Sequence, residues 1–180
     1  MAKVPRFTSD GLLPAGDFVL TPAELLDSPL VLGWGDGAAW DGPWRRTLAV
    51  NVAVTIGHLW NVGIREIYVD GSFVEDKPHP NDIDGYFVCD RQFLVEGGLE
   101  SRLQEFDAVW TWDSDRRYRS PGTSKRQLPM WHKYRVELYP HVGQGTGIVD
   151  QFGNELEFPS ALRQSRSFLP KGIIKIEGAP

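Results

Sequence analysis

Gly71-Ser72-Phe73-Val74-Glu75-Asp76-Lys77-Pro78-His79-Pro80-Asn81-Asp82-Ile83-Asp84 is the stretch on which the reading of this chain turns. A Gly-Ser pair is followed by a nine-residue spacer and then two aspartates one residue apart. Both flanks have strand character, with Glu66-Ile67-Tyr68-Val69 leading in and Tyr86-Phe87-Val88-Cys89 leading out. Residues i and i+2 of a strand share a face, so Asp82 and Asp84 should point the same way. Two acceptor-only carboxylates side by side call for a cation between them, and hard divalent metals take oxygen ligands. The Gly-Ser turn offers backbone N–H groups and a hydroxyl to a phosphate. Turn chemistry alone accounts for the glycine, prolines and asparagine. It does not account for two same-face aspartates beside an apolar strand, where burial without a partner is costly.

Working outward, Thr21-Pro22-Ala23-Glu24 reads as a short helix start, with Thr21 as N-cap, Pro22 first and Glu24 third. Apart from that helix, residues 1–42 read as a Gly- and Pro-rich N-terminal extension, with Gly33-Trp34-Gly35-Asp36-Gly37 a loop. Trp44, Leu48, Val52, Ile56 and Leu59 form a stripe at helical spacing, predicting a helix over 43–62 stopped by Gly63. Strands are predicted over 65–69 and 83–89, and a helix over 91–106. Tyr134–Tyr139 alternates as a third strand, with Val136 and Leu138 on one side and Arg135, Glu137 and Tyr139 on the other. Short strands follow near 147–150 and 154–158, and a Lys/Ile alternation runs from Lys171 to Ile176. The whole reads as one α/β (α+β) domain over 1–180, a small mixed sheet flanked by helices.

Composition narrows the classes. At 180 residues, 41% hydrophobic, the chain can bury a sizeable core. No apolar run is long enough for a transmembrane helix, and Met1-Ala2-Lys3-Val4-Pro5-Arg6 has no secretion-signal character. With a single cysteine, Cys89, this leads to the expectation of a cytoplasmic protein without a membrane partner. A net charge of −5 argues against a broadly basic nucleic-acid binder. Seven tryptophans serve packing or, for one or two, base stacking. The four histidines have no metal-ligand spacing.

The Gly-Ser, spacer and Asp-x-Asp pattern resembles the nucleotidyltransferase superfamily. More narrowly, the chain resembles the bacterial and phage family of small nucleotidyltransferase-like proteins known as domain of unknown function 6932. The likeness is carried by Leu13-Pro14-Ala15-Gly16 with Thr21-Pro22-Ala23-Glu24-Leu25-Leu26, by Tyr68-Val69-Asp70-Gly71-Ser72-Phe73-Val74 with Lys77-Pro78 and Asn81-Asp82-Ile83-Asp84, and by Pro170-Lys171-Gly172-Ile173-Ile174-Lys175-Ile176. The middle block is the specific one.

The resemblance implies a nucleotidyltransferase (polymerase beta-like) fold and transfer of a nucleoside monophosphate from an NTP such as ATP. Two Mg²⁺ or Mn²⁺ ions about 3.5–4 Å apart would clamp the attacking and leaving oxygens. Asp82 and Asp84 would be two of the carboxylate ligands. A third carboxylate is implied from a neighbouring strand; alternation selects Glu137, with Asp90 and Glu157 as alternatives. Gly71 would let the triphosphate approach the backbone, and Ser72 would bind its outer phosphates. Lys77 and Arg135 are either triphosphate partners or solvated side chains. Arg116, Arg117 and Arg119, with Lys125 and Arg126 close by, are either a solvated loop or a grip on an acceptor such as an RNA or tRNA end. The acceptor could equally be a protein side chain, and the family setting suggests toxin–antitoxin or phage-defence roles, with a partner protein or a homodimer possible. The rival readings are a non-catalytic nucleotide- or partner-binding module of the same fold and, from the arginine run alone, an RNA-binding protein.

Overall fold

The computed structural model describes residues 4–35, 39–122 and 124–178. The expected glycine loop therefore lies partly outside the described residues. Its Gly33 and Gly35 have φ of 78° and 80°, a conformation that favours glycine.

The centre is a five-stranded mixed sheet with helices. β1 (Asp17–Leu20) lies at one edge, followed by β7 (Ile173–Ile176), β2 (Ile67–Asp70), β3 (Ile83–Val88) and β4 (Val136–His141) at the other edge. β1 and β7 are parallel, β7 and β2 antiparallel, β2 and β3 antiparallel, and β3 and β4 parallel. A separate two-stranded ribbon joins β5 (Gly145–Val149) and β6 (Glu155–Glu157). The protein is thus a mixed α+β chain with a small mixed sheet.

One sheet face is apolar. Ile67, Val69, Ile83, Phe87, Val136, Leu138, Ile174 and Ile176 form one buried cluster with Leu48, Val52, Ile56 and Leu59 of α3 (Gly42–Asn61). The stripe read in the sequence is the buried stripe of this helix. Asp41 caps α3 by accepting a hydrogen bond from the Trp44 N–H at 3.0 Å, and Pro43 fits the first turn. At α1 (Pro22–Leu26), Thr21 and Glu24 form a complete capping box.

Several expectations need correction. The stretch 91–106 is two helices, α4 (Arg91–Val95) and α5 (Gly98–Gln104), because Gly97 turns to φ 73° and interrupts the ladder. The third strand begins at Val136. Pro129–Tyr134 is a helix (α6) that ends on Arg135 in a left-handed conformation, φ 55°, so Arg135 is outside the alternation on which it was read. The first 42 residues also supply more structure than one short helix. Asp17–Leu20 is an edge strand, and Pro29–Leu32 is a further short helix, α2.

The spacer between Ser72 and Asp82 is held by the start of α3. Buried Arg45 donates to the carbonyls of Leu30 and Phe73, and to that of Lys77 at 2.7 Å. Its guanidinium stacks over Trp40 and Phe73, and burial pulls its pKa down to about 9. Trp44 Nε1 donates to the Pro80 carbonyl at 2.6 Å, and the Trp44 ring stacks on His79. The tryptophans near this loop are thereby packing residues.

Candidate active site

The second face of the sheet joins a smaller buried cluster of Tyr68, Tyr86 and Ile173 to a row of carboxylates, and register explains the row. Asp70 of β2 pairs with Asp84 of β3, which pairs with Glu137 of β4. Side chains directly opposite one another in a sheet share a face, so three carboxylates stand in one row. The next row on this face is Tyr68, Tyr86 and Tyr139. Asp82 immediately precedes β3 and lines the same groove as the row. Asp90 instead caps α4, and Glu157 is exposed on the small ribbon, so of the three candidate third carboxylates only Glu137 joins the row.

Gly71 follows Asp70 with φ 79°, opening a short 3₁₀ turn over Gly71–Val74. A Cβ there would overlap Asp84 Oδ2 and lie 3.1 Å from Asp84 Cβ. The glycine thus makes room for the central carboxylate as well as turning the chain.

The carboxylates differ sharply in their partners. Asp70 is 1% exposed, and its Oδ2 lies 3.2 Å from the ammonium of Lys171, itself 4% exposed. The same ammonium donates to Glu75 Oε1 at 2.8 Å. Asp70 Oδ1 is buried without a hydrogen-bond partner. Burial pushes the Asp70 pKa up to about 7 against the pull of Lys171. Burial also works against charge on Lys171, yet Asp70 and Glu75 outweigh it and hold its pKa above the ordinary value.

Asp82 Oδ2 accepts from the Trp131 indole N–H at 2.7 Å, and the Arg135 guanidinium sits 3.9 Å from the centre of that indole. Glu137, 8% exposed, accepts from Arg117 Nη1 and the Leu128 N–H at 3.4 Å each, and from the Tyr139 hydroxyl at 3.1 Å. Asp84 makes none of these contacts. Burial first, and then the charges of Asp82, Glu137 and Asp70, push its pKa up to about 7. A cation or hydrogen-bond donors placed against Asp84 would favour its charged form.

These groups line a groove of about 1220 Å³. Gly71, Ser72, Lys77, Asp82, Asp84, Arg135 and Glu137 all reach it. Arg116 and Arg119 are exposed and are not among its lining residues. Arg117 departs from both readings of the basic run: the bridge between Tyr118 and Gln127 folds the loop back, and Arg117 faces Glu137 and Tyr139. Asp70, Lys171 and Trp131 received no role from the sequence, although Asp70 adjoins Gly71 and Lys171 lies two residues before β7.

The donor set is chemically suited to Mg²⁺ or Mn²⁺, since every candidate ligand is a carboxylate oxygen. Among the described residues, no group of three or more His, Cys, Asp or Glu side chains forms a ready metal cage. Mg²⁺ is usually held by one or two carboxylates with waters and substrate phosphates completing the shell. Asp82 and Asp84, the pair without a protein cation in contact, have the donor chemistry for a site of that kind.

The chain belongs to the Family of unknown function (DUF6932), whose model matches residues 5–177. No curated protein and no solved structure matches it. Among the described residues, no helix is long and apolar enough to cross a membrane.

Proposed function

We propose that this protein is a metal-dependent nucleotidyltransferase of the polymerase beta-like type, moving a nucleoside monophosphate from an NTP to an acceptor hydroxyl on an RNA end or a protein side chain. The observation that carries the reading is the carboxylate row beside the Gly71-Ser72 turn, with Asp84 unpartnered at its centre. Asp82 and Asp84 would hold Mg²⁺ or Mn²⁺, which when bound supplies positive charge to the phosphate oxygens. Ser72, with the backbone N–H groups of its turn, is suited to the outer phosphates, and Lys77 and Arg135 neutralise the triphosphate from the groove wall. The attacking oxygen bonds to the α-phosphorus as the bond to the bridging oxygen of the β-phosphate breaks, expelling pyrophosphate. Glu137 is the candidate to receive the proton of the acceptor hydroxyl.

The test is incubation with each α-³²P-labelled NTP, Mg²⁺ or Mn²⁺, and either total RNA or cell lysate. Labelled acceptor is expected with wild type and not with Asp84→Asn. Absence of transfer by wild type with every NTP and acceptor pool overturns the reading.

A second reading, a non-catalytic nucleotide- or partner-binding module, is favoured by one observation. Both oxygens of Glu137 already accept from Arg117, Leu128 and Tyr139. Under that reading an NTP raises the melting temperature and no label moves.

A further inference from the structure

The groove has a charge pattern of its own. At one end of the carboxylate row, Asp70 is matched by Lys171, whose ammonium lies between it and Glu75 at 3.2 and 2.8 Å. A lysine buried to this depth persists only where carboxylates compensate it, and it cannot move aside without leaving Asp70 buried and unpaired. At the other end, Glu137 is matched by Arg117 at 3.4 Å, with the Leu128 N–H and the Tyr139 hydroxyl as further donors. Between these ends, Asp82 has only the neutral indole N–H of Trp131. The Asp84 side chain has no hydrogen bond to the protein among the described residues, and Lys171 acts on it only through space. Asp82 and Asp84 are thus the two carboxylates here with no protein cation in hydrogen-bond contact, and when both are ionised they carry two negative charges, the amount that one divalent ion neutralises.

We propose that this site holds a single divalent cation on Asp82 and Asp84, with Lys171 and Arg117 as permanent counter-charges at the two ends of the carboxylate row. The inference rests on the metal-dependent reading above and departs from the two ions that the resemblance implies. A second dication near Asp70 would face the fixed ammonium of Lys171, and one at Glu137 would have to displace Arg117. Like charges this close in a poorly screened groove repel strongly. A two-ligand site would be completed by water or phosphate oxygens. Arg117 then does for Glu137 what a second ion would otherwise do, and Glu137 is freed from metal binding to act as a proton acceptor.

The test is Mn²⁺ binding to the full chain, counted by loss of the free-ion electron paramagnetic resonance signal. It is run with Mn²⁺ alone and with saturating α,β-methylene-ATP, correcting for Mn²⁺ held by free analogue. One Mn²⁺ per chain in both arms is expected, lost in Asp84→Asn. Two in either arm overturn the single-ion inference and leave metal dependence standing. None in either arm overturns both. Lys171→Met leaves Asp70 buried and unpaired and is prone to unfold, so the informative variant is Arg117→Met, with folding checked by circular dichroism. It uncovers Glu137 and should add a second Mn²⁺, bound more weakly than the first. An unchanged count of one in folded Arg117→Met overturns the role given to Arg117.

Discussion

The two faces of the central sheet come from alternate residues of the same strands, yet they obey opposite rules. On one, Ile83, Phe87, Val136 and Leu138 are fully or almost fully buried with the stripe of α3. On the other, Asp84 and Glu137 are as near to each other as any cross-strand pair, and neither gains from that proximity without a cation. The first face stabilises the chain by removing apolar surface from water. The second holds unfavourable charge that the first face must outweigh. Gly85 shows how tightly the two are joined: it lies between Asp84 and Tyr86, and a Cβ there would overlap the Tyr68 carbonyl and approach Leu138 Cδ2 to 2.7 Å.

If that contrast is right, mutations on the two faces should separate stability from chemistry. The largest loss of stability is expected from Phe87→Ala, which opens a cavity beneath α3. Such truncations cost about 3–5 kcal/mol, a large part of the stability of most domains. Urea unfolding measures it, and a loss below about 1 kcal/mol would contradict the assignment of this face as the principal core.

Asp84→Asn should behave in the opposite way. It keeps the shape of the side chain and removes a crowded charge, so the melting temperature of metal-free protein should hold or rise. Nucleotide transfer should fall about a hundredfold to a thousandfold, the usual loss when one preorganised electrostatic group is removed from a site. An unfolded Asp84→Asn would show that the carboxylate is structural.

The apolar face was legible in the sequence because its code is local. The stripe from Leu48 to Leu59 and the Thr21–Glu24 box are set by neighbours within one or two turns, and both occur as read. The Gly97-Gly98 pair carried the signal for the break in 91–106, but the flanking Phe93, Leu94 and Leu99 obscured it. On the polar face, Asp82 and Asp84 stand together because they are two residues apart in the chain. Glu137 followed from period-two alternation, although Arg135, read from the same pattern, caps a helix instead. Lys171 and Asp70 were illegible in combination. Their pairing depends on β7 entering the sheet between β1 and β2, which joins the two ends of the chain and leaves no local mark.

The pH dependence of stability probes the same contrast with a smaller effect. The native pKa of Asp84, about 7, lies above its ordinary value of 3.8, so the folded chain holds this proton more tightly than the unfolded chain. The resulting stabilisation is fully present below about pH 4 and is lost as pH rises through about 7. Asp82, Glu137, Asp70 and Lys171 are the charged groups acting on it, and Asp70 shares the upward shift, so it adds a similar slope. In EDTA, wild-type melting temperature should therefore decline over this window from these two groups, and Asp84→Asn should decline less. Mg²⁺ should flatten the wild-type curve by favouring the ionised carboxylate. Equal slopes for wild type and variant would remove Asp84 as the source.

The smallest effect is expected furthest from both faces. Arg116 and Arg119 are exposed, while Arg117 belongs to Glu137, so the basic run divides into two outer residues free to meet an acceptor and one inner residue that is not. Changing Arg116 and Arg119 together to Ala, with Arg117 kept, should leave unfolding free energy within about 0.5 kcal/mol of wild type, as for most surface changes. If the acceptor is single-stranded RNA and each residue contacts one phosphate, the slope of log affinity against log salt should become shallower by about 1.4, from roughly 0.7 for each lost contact. Mn²⁺ binding should not change, because neither residue lines the groove. An unchanged RNA affinity and salt slope would make both arginines solvated loop residues and favour a protein acceptor. A lost Mn²⁺ site would mean that the outer loop supports the carboxylate row through Arg117, joining two regions that the separation of the two faces keeps apart.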